Sequence, residues 1–388
     1  MKISDKYQKK FRFIYITFGL LLIATFSYGT ENMDVTVDEI YFNHEGGYAN
    51  DALTISDDGT PIVNVPEWSD SYYPQKDKYR FAYIMGQTTR SIKVRLNAGS
   101  YTGLMHLLIK VSYITGTGTD GIGEVCNLFV PNFNANSLLT LYPTGNFPAS
   151  VGAHEFHWHW EIYAIPINNS NYCAARGTTD TSHHFYTLLA APQAPMVQPW
   201  ERVLDYACDW AGGQSTEPTI ITSLTTNLYN SGAKYDGNNH HTIGSKSNLY
   251  LTYLLNDLDA APTNTYMDCR DFANFLHVLS NALGLNGCYH VIYHNNSSCD
   301  NVTFQFYYNY LFPAGQSPTR GYWNFHQVGW YNNSNVADAS TQIDNDDNPT
   351  ASPYSWKLSV GDMTISGYFD KLSEDSLKSC SIGTCTVY

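Results

Sequence analysis

A change of hydrophobic period across residues 191–199 constrains this chain more than any other feature. The segment Ala191-Pro192-Gln193-Ala194-Pro195, extended to Pro199, blocks helix and strand alike. Before it, apolar residues recur every second position. Ile92, Val94 and Leu96 alternate with Lys93 and Arg95, and Leu107, Ile109, Val111 and Tyr113 form a second such run. Further strands are expected near 78–86, 123–130, 155–165 and 183–190. After it, the period becomes helical near 200–211, 218–230 and 247–256, and strands follow near 288–294, 302–310, 322–331 and 335–340. In the last 45 residues Trp356, Ile365, Tyr368 and Leu372 fit either strands or a short helix. The expected organisation is residues 30–190 as an antiparallel β-sandwich of immunoglobulin-like type, 191–199 as a linker, and 200–388 as an α+β domain.

Residues 1–29 read as an export signal. Lys2, Lys6, Lys9, Lys10 and Arg12 lead an apolar run from Phe13 to Phe26, and Ser27 and Gly29 are small residues before a cleavage point. The run is short for a membrane span, so secretion is expected, with no membrane insertion after removal of the signal. A net charge of −14 argues against nucleic acid as a partner. Oxidising surroundings would favour disulfides. Among the eight cysteines, Cys126 with Cys173, Cys288 with Cys299 and Cys380 with Cys385 are the expected pairings. Cys208 reads as a buried core thiol in the 200–211 helix.

That scheme leaves Cys269, and its setting is special. Asp268 suits a helix N-cap, and Phe272, Phe275, Leu276, Leu279 and Leu283 follow at helical spacing. Cys269 then lies in the first turn, where free backbone N–H groups and the helix dipole favour a thiolate nucleophile. Downstream, Tyr322-Trp323-Asn324-Phe325-His326-Gln327-Val328-Gly329-Trp330 and Asn335-Val336-Ala337-Asp338-Ala339-Ser340 flank a turn at 331–334. A hairpin centred near Asn332 sets His326 opposite Asp338 on one face, with Cβ atoms about 5 Å apart. A slip of one residue would send Asp338 to the other face.

Asp-Cys-Arg-Asp-Phe-Ala at 268–273, with the His326 and Asp338 segments in that order, resembles the transglutaminase-like cysteine-enzyme superfamily, over about residues 200–340. The resemblance implies a papain-like α+β layout and acyl transfer through a thioester. It assigns Cys269 as nucleophile, His326 as base and Asp338 as the group that orients it, with Asp271 as support for the helix start. Arg270 reads as surface. The Cys269 backbone N–H can supply one oxyanion donor, and the second is open among Asn264, Tyr266 and Tyr235. The expected substrate is a protein or peptide, such as a cell-wall peptide. Hydrolysis is preferred to crosslinking. No cofactor is expected, and no calcium, because the sequence has no Asp-x-Asp-x-Asp-Gly loop with its closing Glu; the acidic Asp344-Asn345-Asp346-Asp347 reads equally as a solvated loop.

Two other readings compete. A catalytically silent scaffold of the same shape would serve as a surface binding module. Alternatively His157, His159 and Glu161, on one face of a strand, could hold zinc with an open position. The opposite face, Phe156, Trp158, Trp160, Ile162 and Ala164, reads as core, which makes those histidines solvent-facing. His183-His184 and His240-His241 are adjacent pairs whose side chains would diverge on a strand.

Overall fold

The protein is described here from a computed structural model. It describes residues 34–388 apart from 45–50, 73–75, 88–89, 115–122, 136, 146, 168–173, 239–240, 242–247, 299–300, 332–334, 349 and 382–385. The export signal, His240 and the tip of the 331–334 turn therefore lie outside the described residues.

The N-terminal part is built from β1 (Thr36–Tyr41), β2 (Trp68–Ser69), β3 (Phe81–Ile84), β4 (Ile92–Asn97), β5 (Leu104–Tyr113), β6 (Val125–Asn134), β7 (Leu138–Leu141), β8 (Gly152–Pro166) and β9 (Ala175–Leu188). Two sheets result, ordered β2-β1-β4-β7 and β3-β9-β8-β5-β6. The alternation seen in the sequence sets the faces. Ile92, Val94 and Leu96, Leu107, Ile109 and Val111, and Phe156, Trp158, Trp160, Ile162 and Ala164 all enter one buried cluster. The edge pair β3–β9 is parallel, so the expected purely antiparallel sandwich is corrected there.

Four helices follow: α1 (Glu201–Trp210), α2 (Glu217–Tyr229), α3 (Leu251–Ala260) and α4 (Cys269–Ala282). Then come β10 (Cys288–His294), β11 (Phe306–Pro313), β12 (Thr319–Trp323), β13 (His326–Tyr331), β14 (Asn335–Asp344), β15 (Trp356–Thr364), α5 (Ile365–Leu372) and β16 (Leu377–Ser381). These strands form one sheet ordered β12-β11-β14-β13-β10-β16, with β15 also paired to β14. Among the described residues strand makes up 45% and helix 19%. The expected α+β class with a papain-like second domain is therefore overturned: the molecule is mostly β. The helical periods at 200–230 and 269–282 are real, but the described segments before 190 and after 287 are mostly strand.

The proline-rich segment is no free tether. Ala190 N–H bonds Leu283 C=O and Gln193 N–H bonds Asn281 C=O, while the Asn281 amide donates to Ala194 C=O at 2.5 Å. Gly284 makes this approach possible: it has φ +89°, and a Cβ there would lie 2.4 Å from the Ala190 oxygen. Ile55, Val151, Tyr186 and Leu188 from the sandwich share a single buried cluster with α1, α2 and α4. The orientation of the sandwich on the helices is thus fixed by core packing.

One buried acid makes the sandwich sensitive to pH. Glu67 accepts from the backbone N–H groups of Phe42 (2.7 Å) and Asn43 (3.0 Å). Burial pushes its carboxyl up to about 8 despite those bonds. A folded value above the unfolded one adds stability that is complete below about pH 4, the ordinary Glu range, and is lost as pH rises towards 8. Urea midpoints should therefore fall between pH 5 and 8. Glu67→Gln forfeits one acceptor and should be less stable by about 1–3 kcal/mol, yet its pH slope over that range should be flatter. An unchanged slope would contradict the assignment.

Candidate active site

Helix α4 is buried on every side. The expected stripe is fully internal, and so are Asn274, His277, Ser280 and Asn281. Internal bonds satisfy several of these polar groups. Ser280 Oγ donates to Leu276 C=O at 2.6 Å, and Asn274 Oδ1 accepts from Gln327 Nε2 at 2.9 Å, which ties α4 to β13. Gly329 lets the two elements close up, since a Cβ there would meet Ala337 O at 2.9 Å and Leu276 Cδ2 at 3.0 Å. His277, pushed down to about 4 by burial, is a neutral core histidine.

The start of α4 is doubly capped. Asp268 Oδ1 accepts from the N–H groups of Arg270 (2.8 Å) and Asp271 (3.0 Å), and Asp271 Oδ2 accepts from Asp268 N–H (3.2 Å). Asp271, fully buried, also accepts from His241 N–H at 2.9 Å. Arg270 departs from its surface reading. Its guanidinium turns back onto Asp268 (Nε to Oδ2, 2.7 Å), leaving the side chain only 16% exposed.

This cap brings Cys269 against β13. The Gln327 backbone, next to His326, and the charges of Asp268 and Asp338 act on the sulfur. Burial and the Asp268 carboxylate push the thiol up, and the Gln327 N–H and Arg270 do not offset them. The expectation of a thiolate favoured by the helix start is corrected: Cys269 rests as a thiol, 5% exposed.

His326 and Asp338 meet as the sequence implies, through a different register. Gly329 pairs with Ala337 and Tyr331 with Asn335, so the hairpin is centred on 333, not 332. Position 326 then looks across to 340, with 338 as its diagonal neighbour. A displacement of two residues preserves the face, and His326 Nε2 lies 2.9 Å from Asp338 Oδ2. A carboxylate can only accept, so Nε2 carries a proton and Nδ1 is the ring nitrogen left to exchange one. Nδ1 is buried and has no hydrogen-bond partner.

Three neighbours complete the cluster. Asp338 Oδ1 accepts from Ser340 N–H (2.8 Å) and Oγ–H (2.7 Å), and Oδ2 also accepts from the Tyr368 hydroxyl. Burial alone would raise the Asp338 carboxyl; His326, Tyr368 and Ser340 together hold it below the usual carboxylate range. Trp323 stacks on the His326 ring, with centroids 4.3 Å apart and planes 12° from parallel. None of Ser340, Tyr368 and Trp323 was singled out for the site from sequence. Of the oxyanion candidates, Asn264 and Tyr266 are exposed, whereas Tyr235 interacts electrostatically with Cys269 and Asp338.

The competing metal set does not assemble. His157 Nε2 pairs with Glu155 (3.0 Å), His159 Nδ1 with Asp180 (2.6 Å), and Glu161 with Lys110 (3.0 Å) and Arg176 (2.9 Å). Among the described residues no group of three acidic, histidine or cysteine side chains is arranged to hold a metal ion. His183 is core and His184 faces Asp77, so that pair does diverge. Cys208 is a buried free thiol, and Cys288 is free too, its sulfur near Trp330 C=O, so the expected bridge to Cys299 does not form. Cys173, Cys299, Cys385 and the Cys126 side chain lie outside the described residues. A cavity of about 510 Å³ between β8, β9 and α1 is lined by none of Cys269, His326 and Asp338.

Asp268→Ala removes two cap bonds and the Arg270 partner. It should lower stability by about 1–3 kcal/mol, read as a fall in urea midpoint. An unchanged midpoint would mean that the cap does not hold the Cys269 turn.

No protein-family model and no curated protein matches the sequence. Among solved structures, red sea bream transglutaminase is similar to 80% of this chain at 12% identity and a TM-score of 0.34. The match takes in 52% of that enzyme, so this chain spans about half its length. A structural neighbour of the chain is therefore a transglutaminase, at a score too low to carry an argument about the site.

Proposed function

We propose that this chain is an exported cysteine-dependent acyl-transfer enzyme acting on amide groups of proteins or peptides. The observation that carries the reading is the His326 Nε2–Asp338 bond at 2.9 Å, on the strand that packs against the Cys269 helix. The basic and apolar leader supports export.

The chemistry follows from the protonation states. His326 Nδ1 takes the Cys269 thiol proton as sulfur attacks the amide carbonyl. Asp338 stabilises the imidazolium by charge and by the Nε2 bond, without taking the proton. The tetrahedral oxyanion draws on the Cys269 N–H at the helix start, with Tyr235 as the side-chain donor. Collapse breaks the C–N bond, the imidazolium returns its proton to the departing nitrogen, and a thioester remains. Water then attacks the thioester with His326 as base, the C–S bond breaks, and acid and thiol are released. A primary amine in place of water would give crosslinking; hydrolysis is the preferred outcome. With Cys269 5% exposed, substrate entry requires the side chains around it to move.

That same closure favours the second reading, a catalytically silent scaffold that binds a partner on its surface. Iodoacetamide labelling of full-length protein at pH 7 separates the two. The enzyme reading expects an adduct at Cys269, none in Cys269→Ser, and labelling slowed about 100-fold or more in His326→Ala. Native protein whose Cys269 stays unlabelled, or labels as fast without His326, would favour the binding module.

A further inference from the structure

Asp338 is fully buried and carries more donors than a His partner alone needs. The Tyr368 hydroxyl donates to the same oxygen, Oδ2, that accepts from His326, and lies 3.4 Å from His326 Nε2. Tyr368 comes from α5, more than 40 residues beyond His326, and is itself fully buried, anchored beside Leu372. Thr364 caps that helix through its Oγ to Gly367 N–H at 3.3 Å.

We propose that Tyr368 is a positioning residue that sets how strongly Asp338 stabilises the His326 imidazolium. The proposal rests on the acyl-transfer reading above. A hydroxyl bonded to Oδ2 draws off part of the negative charge that the imidazolium would otherwise feel, and it fixes the carboxylate rotamer. Ser340 does the same at Oδ1 from the strand side. Burial holds the Tyr368 hydroxyl protonated, so it remains a donor throughout the working pH range. The other ionisable groups that interact with this cluster are Cys269 and Arg270 from α4, Asp268 at its N-cap, Tyr229 from α2 and Tyr235 beside the Cys269 turn. Tyr308 on β11 stands behind Tyr235. The α2 and Cys-side tyrosines and the thiol are all pushed up and stay neutral near pH 7, which leaves the Asp268–Arg270 pair as the remaining charged groups.

The rate of Cys269 alkylation should rise with pH as the imidazolium gives up its proton, and the midpoint of that rise reads the balance at Asp338. Tyr368→Phe leaves Asp338 a stronger partner for the imidazolium, so the midpoint should move up by about half a pH unit or more. Placing 3-fluorotyrosine at 368, a better donor of nearly the same size, should move it down. A purely structural role would change the plateau rate or the thermal midpoint but leave the pH midpoint in place in both variants. That outcome would overturn the proposal. If Tyr368→Phe does not fold, the fluorotyrosine protein still decides by the direction of its shift. Asp338→Asn is run in parallel: if it too leaves rate and midpoint unchanged, the acyl-transfer reading fails, whereas an effect of Asp338→Asn with none at Tyr368 rejects the Tyr368 role alone.

Discussion

A carboxylate with almost no exposure must be matched donor by donor, and Asp338 meets that demand in a way that organises everything around it. Four hydrogen bonds converge on it, from the Ser340 backbone and side chain, from Tyr368 and from His326. Leaving such a group unmatched would cost several kcal/mol, so the strand that carries it, the strand beside it and the helix behind it are held in one arrangement. His326 thereby acquires a fixed tautomer, with its basic nitrogen left over. The Trp323 ring stacked on it keeps the imidazole from turning. The same carboxylate links a β-hairpin to α5, which the local pattern of either segment would not bring together.

The second constraint is the buried start of α4. A helix surrounded by core on all sides needs its end groups satisfied internally, and Asp268 and Asp271 do so reciprocally. One consequence is chemical. The acid that caps the helix also opposes ionisation of the thiol next to it, so the helix-start advantage is cancelled. Structure and reactivity are linked at this turn: what secures Cys269 in place also keeps it protonated at rest.

Much of this was legible in residues 268–283, where a capping acid and a helical stripe leave little freedom, and in 288–294, where strand bounds and pattern agree. The His326–Asp338 pairing was legible for a reason of geometry: strand side chains repeat every two residues, so an error of two in the turn leaves them on one face. Tyr368 was hidden because its partner is distant in sequence, although its spacing to Leu372 marks a buried helical face. The tyrosine, not the stripe, carries the information, and only tertiary contact reveals it. The zinc-like set failed because one strand shows its own outward residues but not the Asp180, Lys110 and Arg176 that neighbouring strands set against them. The balance of helix and strand was misjudged for a related reason. Segments such as 356–364, whose pattern fits strand or helix, join a sheet through partners that their own pattern does not name.

Under the proposed acyl-transfer reading, the Cys269 sulfur, activated by His326 and Asp338, becomes covalently acylated. Mass spectrometry of full-length protein, quenched in acid during incubation with an excess of a glutamine-containing peptide, tests it most directly. The account predicts a species heavier by the peptide less ammonia, located at Cys269, lost on treatment with hydroxylamine and missing from His326→Ala. Peptide converted with no adduct at Cys269 at any quench time, or an adduct formed equally well without His326, would contradict it.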